Sequence, residues 1–167
     1  MYRLYLLRHA EAAPVMVGGR DIDRPLSDRG RQDAEKLGIS MREAGFMPVS
    51  VLSSSAVRAR ETWEKVASRL ASTPIETCYA PELYRGDAED YRILIATAAV
   101  EEGLLVVGHN PMIHELALVL LRADDQARSA ISGGFLPGAL AVLDFPEPLW
   151  SIRPRTASLT AFLLPGQ

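Results

Sequence analysis

Three observations predict an α/β fold, a three-layer αβα sandwich built on a mostly parallel central sheet. Short apolar runs alternate with helical patterns of ten to sixteen residues, the order expected of strands and crossover helices. The runs at 2–7 and 104–107 are almost continuously apolar, as strands covered on both faces are. Each run leads into a histidine, His9 after Arg8 and His109 after Gly108, although 100 positions separate the two. Ligands of an open parallel sheet bind outside the carboxyl ends of its strands, so both histidines are expected at one crevice.

Each element has its own local reason. After the first strand comes a polar, glycine-containing loop over 11–25. Ser27 then supplies an N-cap for a helix running to about Ala44 and closed by Gly45, with Ala34, Leu37, Met41 and Ala44 as its buried stripe. A second strand is expected over 49–53, a charged helix over about 56–70 and a weaker third strand over 75–79. A helix near 89–99 precedes the fourth strand at Leu104, and Pro111 opens a helix over 112–121. The tail reads as two strands in succession, 139–145 and 158–164, for which an antiparallel pairing is one arrangement. There is no internal repeat, low-complexity tract or linker, so residues 1–167 are read as one domain.

Composition narrows the partners. A net charge of −3 with a sequence pI near 5.6, and no basic cluster, argues against nucleic acid. Arginine far outnumbers lysine, 16 to 2, which reflects composition bias for most positions and leaves only particular arginines to explain. The single cysteine, Cys78, excludes an internal disulfide and is expected to be a small buried hydrophobe of the third strand. No apolar run approaches the roughly 20 residues that span a bilayer, and the start of the chain lacks a secretory pattern. A cytoplasmic protein with no membrane partner is expected.

The chemistry turns on what accompanies the histidines. Arg8 precedes His9, Arg24 lies in Asp23-Arg24-Pro25-Leu26-Ser27 before the first helix, and Arg58 falls in Ser55-Ala56-Val57-Arg58-Ala59-Arg60 near the start of the second. Helix amino ends favour anions, and guanidinium forks match phosphate oxygens. A neutral imidazole can attack phosphorus while arginines hold the equatorial oxygens, and the same arginines keep that imidazole unprotonated. Phosphoryl transfer is therefore expected without a metal or other cofactor. His114 is five positions beyond His109, which lacks the i, i+4 spacing of a zinc motif, so it is read as structural or surface. Arg29, Arg31 and Arg60 are read as solvated helix residues, and Glu61 with Lys65 as a surface pair. The glycine-rich segment at 132–138 lacks the Gly-Lys-Ser/Thr ending of a nucleotide loop and is read as a mobile turn bordering the site.

The segments Tyr5-Leu6-Leu7-Arg8-His9-Ala10-Glu11-Ala12, Ser53-Ser54-Ser55-Ala56-Val57-Arg58-Ala59-Arg60-Glu61-Thr62 and Val106-Val107-Gly108-His109-Asn110-Pro111, in this order, resemble the histidine phosphatase superfamily. The short chain and the Arg24-Pro25-Leu26-Ser27 element are similar to its compact SixA-type phosphohistidine phosphatase branch. The resemblance implies a phosphoglycerate mutase-like fold without a large inserted subdomain. It implies His9 as the phosphorylated nucleophile, with Arg8, Arg58 and His109 on the phosphoryl group and Arg24 at the rim. Glu82, in Ala80-Pro81-Glu82-Leu83-Tyr84, matches the place from which many members supply a proton donor. The chain departs from the pattern at Ala10, where glycine commonly follows the nucleophile; a methyl group costs little there if φ is negative.

The expected substrate is a phosphohistidine-bearing protein, such as a histidine-containing phosphotransfer protein. The alternative is a small phosphorylated metabolite, which calls for a walled pocket. A non-catalytic phosphopeptide binder is a third class, disfavoured because binding alone has no need of a nucleophile.

Overall fold

The computed structural model describes residues 1–70, 72–98, 103–123 and 125–166. In chain order the elements are β1 (Tyr2–Arg8), α1 (Asp28–Glu43), β2 (Ser50–Ser54), α2 (Val57–Leu70), β3 (Glu76–Ala80), α3 (Glu82–Arg85), α4 (Ala88–Thr97), β4 (Leu104–Gly108), α5 (Met112–Leu120), α6 (Asp125–Ile131), β5 (Leu140–Phe145) and β6 (Ser158–Leu163). They form one six-stranded sheet in the order β3-β2-β4-β1-β5-β6. The first four of these strands are mutually parallel, and β5 runs antiparallel to both β1 and β6.

The central strands alternate their side chains between two cores. Leu4 and Leu6 of β1, with Leu104 and Val106 of β4, pack in the cluster that includes α4 and α5. Tyr5 and Leu7, with Leu105 and Val107, pack in the cluster of α1 and α2. Since both faces are dry, these strands carry no polar face, and that explains their continuous apolar runs. The αβα sandwich is thereby accounted for, and the short α3 is all that stands between β3 and the cap of α4, in place of an inserted subdomain.

Local signals fixed most boundaries within a residue or two. Ser27 caps α1 by accepting from Gly30 N at 3.0 Å, and Asp87 caps α4 in a capping box with Asp90. The last position of the helix expected near 89–99 lies outside the described residues.

Four expectations fail for non-local reasons. Cys78 is exposed, because β3 is an edge strand and only its Ala80 is buried. Ala44 is exposed at the end of α1, and the stripe includes Gly30 and Gly38. Lys65 pairs with Glu35 across the α1–α2 interface at 3.0 Å, not with Glu61. Glu61 instead accepts from Leu26 N at 2.7 Å and lies 3.6 Å from Arg31, so Arg31 is not merely solvated.

Candidate active site

Sheet register brings the two histidines together. Arg8 and Gly108 are opposite each other at the ends of β1 and β4, so His9 and His109 leave the sheet side by side with ring centroids 5.0 Å apart. His9 N donates to Gly108 O at 3.0 Å. Gly108 has no room for a side chain, since a Cβ would lie 2.6 Å from the Tyr91 ring and hydroxyl. Tyr91 Oη accepts from His109 N at 3.2 Å and donates to Leu83 O, which fixes the backbone under the second histidine.

Neighbouring β2 delivers the cation. Arg58 lies in the first turn of α2 and is buried, and its Nε donates to His9 Nε2 at 3.3 Å. Its Nη1 donates to Asp21 O at 2.8 Å, and its Nη2 donates to Asp21 Oδ2 at 3.0 Å and lies 3.5 Å from His109 Nδ1. One guanidinium thus sits against both histidines and Asp21. Arg24 donates through Nη1 to Asp21 Oδ1 at 3.0 Å, and Tyr84 Oη donates to Asp21 Oδ2 at 3.0 Å. Arg8 donates to Phe135 O at 2.6 Å, while its buried Nε has no hydrogen-bond partner among the described residues.

Both imidazoles are held neutral, and His9 is held in one tautomer. His9 Nδ1–H donates to Ala10 O at 2.7 Å, which leaves the lone pair on Nε2, the atom that faces Arg58. Burial foremost, with help from the charges of Arg58, Arg8 and Arg24, lowers the His9 pKa to about 4 against the pull of that carbonyl. Burial and the neighbouring His9 and Arg58 lower His109 to about 3. His109 Nε2 lies 2.7 Å from Ser54 Oγ, a hydroxyl that can donate or accept and so permits either tautomer. Asp21 is held ionised, down to about 2, first by its bond to Arg24 and then by Tyr84 and Arg58.

Together Arg8, His9, Arg24, Arg58, Tyr84 and His109 line a cleft of roughly 440 Å³, with Glu11, Asn110, Met112 and Pro137 also on its walls. An electron-rich nitrogen beside clustered guanidinium groups is suited to attack on a phosphoryl group.

The family model of the histidine phosphatase superfamily (branch 1) matches residues 4–93. The chain belongs to the histidine phosphatase superfamily. As a histidine phosphatase it is an enzyme that hydrolyses phosphorylated substrates, and its architecture is of the SixA type. A candidate phosphohistidine phosphatase SixA from Agrobacterium tumefaciens has 33% identity and a TM-score of 0.83, with 98% of each chain covered. A second SixA candidate, from Nakamurella, has 27% identity and a TM-score of 0.80 over 99% of this chain and 97% of that one. An uncharacterised Mycobacterium tuberculosis protein is 34% identical over 167 residues, 95% of this chain and 99% of the relative. An uncharacterised chloroplastic protein of Arabidopsis thaliana is 41% identical over 68 residues, which cover 41% of this chain and 31% of that protein.

The phosphatase places its sequence-marked residues unequally. Arg8, His9, Arg24, Arg58 and His109 share the cleft. Glu82 does not: it is exposed at the start of α3 and lines a separate cleft with Pro81, Arg85 and Asp90. The turn of α3 buries Leu83 and directs Tyr84 to the histidines, with the Tyr84 ring 5.6 Å from that of His109. Ala10 fits its place because φ there is not positive; among the described non-glycine residues only Arg155 has positive φ. The segment at 132–138 does border the site, through Phe135 O and Pro137. His114 is half-buried beside Phe135, in keeping with a structural role.

Asp21, Ser54, Thr62 and Tyr84 were missed by sequence reasoning. Asp21 had one usable signal, its i, i+3 spacing to Arg24; the others declare themselves only once the strands are assembled.

The depressed histidines tie stability to pH. The unfolded chain protonates at the ordinary histidine pKa of about 6.5, whereas the native sites resist until about 4 and about 3. Between these values the unfolded state binds more protons, so stability is full above pH 6.5 and is lost as pH falls through the window. The wild-type Tm is expected to drop from pH 6.5 to 4, and the drop to be shallower in a His9→Gln/His109→Gln variant. Equal slopes in thermal melts of the two proteins would contradict this.

Proposed function

We propose that this phosphatase removes the phosphoryl group from phosphohistidine on a protein, through a covalent phosphohistidine on His9. The observation that carries the reading is the bonding of His9: Nδ1–H is tied to Ala10 O, and Nε2 is unprotonated beside Arg58 in an arginine-lined cleft. Arg8, Arg24 and Arg58 bind the equatorial oxygens and supply positive charge where the transition state spreads negative charge. His9 Nε2 forms a bond to phosphorus as the bond from phosphorus to the substrate nitrogen breaks, and the leaving imidazole takes up a proton. His9 then carries a formal positive charge, which the Nδ1–H bond to Ala10 O stabilises. Water attacks this intermediate, the electron pair returns to Nε2, and inorganic phosphate leaves.

Neither Glu82 nor His109 suits the role of proton donor. Glu82 lies outside the cleft, and His109 is kept neutral by burial, which suits it to a hydrogen bond on a phosphoryl oxygen. Solvent at the cleft mouth supplies the proton instead. The bare connection between β3 and α4 supports a protein substrate, since only the four-residue α3 stands there.

The test is rapid-quench trapping with phosphoramidate and with a phosphohistidine peptide, in the presence of a chelator. An acid-labile, alkali-stable phosphoenzyme that forms and decays at the rate of turnover is expected. Turnover of phosphomonoesters alone, with no reaction at either phosphorus–nitrogen bond, would favour a metabolite phosphatase.

A further inference from the structure

The loop that follows the nucleophile carries three consecutive exposed apolar side chains. Val15 is 53% exposed, Met16 80%, and Val17 is fully exposed. Such a run is out of place in a solvated loop, where polar residues satisfy the same turn without structuring water. Its position is fixed from below. Ala12 bridges antiparallel to Leu26, Ala13 N donates to Pro25 O at 2.9 Å, and Gly19 N closes the tip on Met16 O at 2.8 Å.

The loop is joined to the reaction site through Arg24. That side chain lines the catalytic cleft and also a small adjoining cleft walled by Pro14, Val15 and Met16, and its Nε donates to Ala13 O at 2.9 Å. We propose that Val15, Met16 and Val17 form a docking knob for the folded protein that carries the phosphohistidine, an inference that rests on the function proposed above. A protein whose phosphohistidine reaches His9 brings its surrounding surface to the cleft rim, where Arg24 joins this loop, whereas a small metabolite bound at the arginines has no need to touch it.

Charge defines the partner further. Arg20 and Arg24 are already paired with Asp23 and Asp21, and Glu11, at the foot of the loop, accepts from the Ser27 hydroxyl and has no ion pair among the described residues. Residues 12–19 carry no basic side chain with which to hold an anionic lipid headgroup. The uncharged apolar tip matches a protein surface with an apolar patch next to the modified histidine.

The test compares wild type with Val15→Ser/Met16→Ser/Val17→Ser on two substrates, phosphoramidate and a histidine-containing phosphotransfer domain phosphorylated by it. Trp150→Ser is the control, an exposed apolar residue beyond Phe145, at the end of the sheet away from His9. The triple variant is expected to keep kcat/KM for phosphoramidate within about twofold and to raise KM for the phosphoprotein by about tenfold or more, with the control unchanged on both. An unchanged KM for the phosphoprotein overturns the docking role while leaving the phosphohistidine reading intact. Failure of wild type to hydrolyse either substrate overturns both. Conversion of a wild-type dimer to a monomer by the triple substitution, seen by gel filtration, would assign the loop to self-association and overturn the proposal as well.

Discussion

His9→Ala is expected to lose turnover by about 10⁴-fold or more and to form no phosphoenzyme. The size follows from what would remain. Arg8, Arg24, Arg58 and His109 would still bind a phosphoryl group, but no other described side chain presents an unprotonated nitrogen beside Arg58 with its proton held on the far side of the ring. Water would then have to attack the substrate directly. His109 is a poor replacement, because its Nε2 is engaged with Ser54 Oγ and its backbone is locked by Tyr91. The variant is expected to fold, since a neutral half-buried imidazole with one bond to a local carbonyl contributes little to the core, and far-ultraviolet circular dichroism checks this. Single-turnover phosphate release within about tenfold of wild type would exclude His9 as the nucleophile.

Arg58→Lys is the second large effect, an expected loss of about 10² to 10³ in kcat although the charge is retained. The guanidinium meets His9 through Nε, Asp21 O through Nη1, and both Asp21 Oδ2 and His109 through Nη2. An ammonium group has one nitrogen, so it cannot face the nucleophile and remain tied to Asp21 O and Asp21 Oδ2. It would also leave the Asp21 carboxylate, now held by Arg24, Tyr84 and Arg58, freer to turn toward the cleft and repel phosphate. A steady-state assay with phosphoramidate decides the matter: a lysine variant that retains wild-type kcat would show that charge alone is required at this position.

The sequence carried the parts of this molecule that depend on local order. Continuous apolar runs marked β1 and β4 because both faces of each are covered, and the serine before α1 marked its start because it satisfies a free amide of the first turn. The association of Arg8, His9, Arg24, Arg58 and His109 was also readable, since each follows a strand end or sits near a helix start. What could not be read depended on which strands are neighbours. Cys78 was misplaced because nothing in its own segment reveals that β3 lies at the sheet edge. Lys65 was paired within its helix because the partner it takes, Glu35, belongs to a helix 30 positions away in sequence. Glu82 was marked by its place in a motif, yet the direction of a side chain in a four-residue helix is set by which neighbour is buried, and Leu83 decides that. Asp21 escaped for a similar reason: its three partners come from separate segments.

One hydroxyl has a mechanical consequence. Thr62, fully buried in α2, donates to Arg58 O at 2.6 Å and accepts from Ala10 N at 2.9 Å. It therefore rivets the loop just after the nucleophile to the same turn of helix that carries Arg58. The spacing of attacking atom and cation is thus braced, where the helical layer meets the sheet, by a single threonine that touches neither.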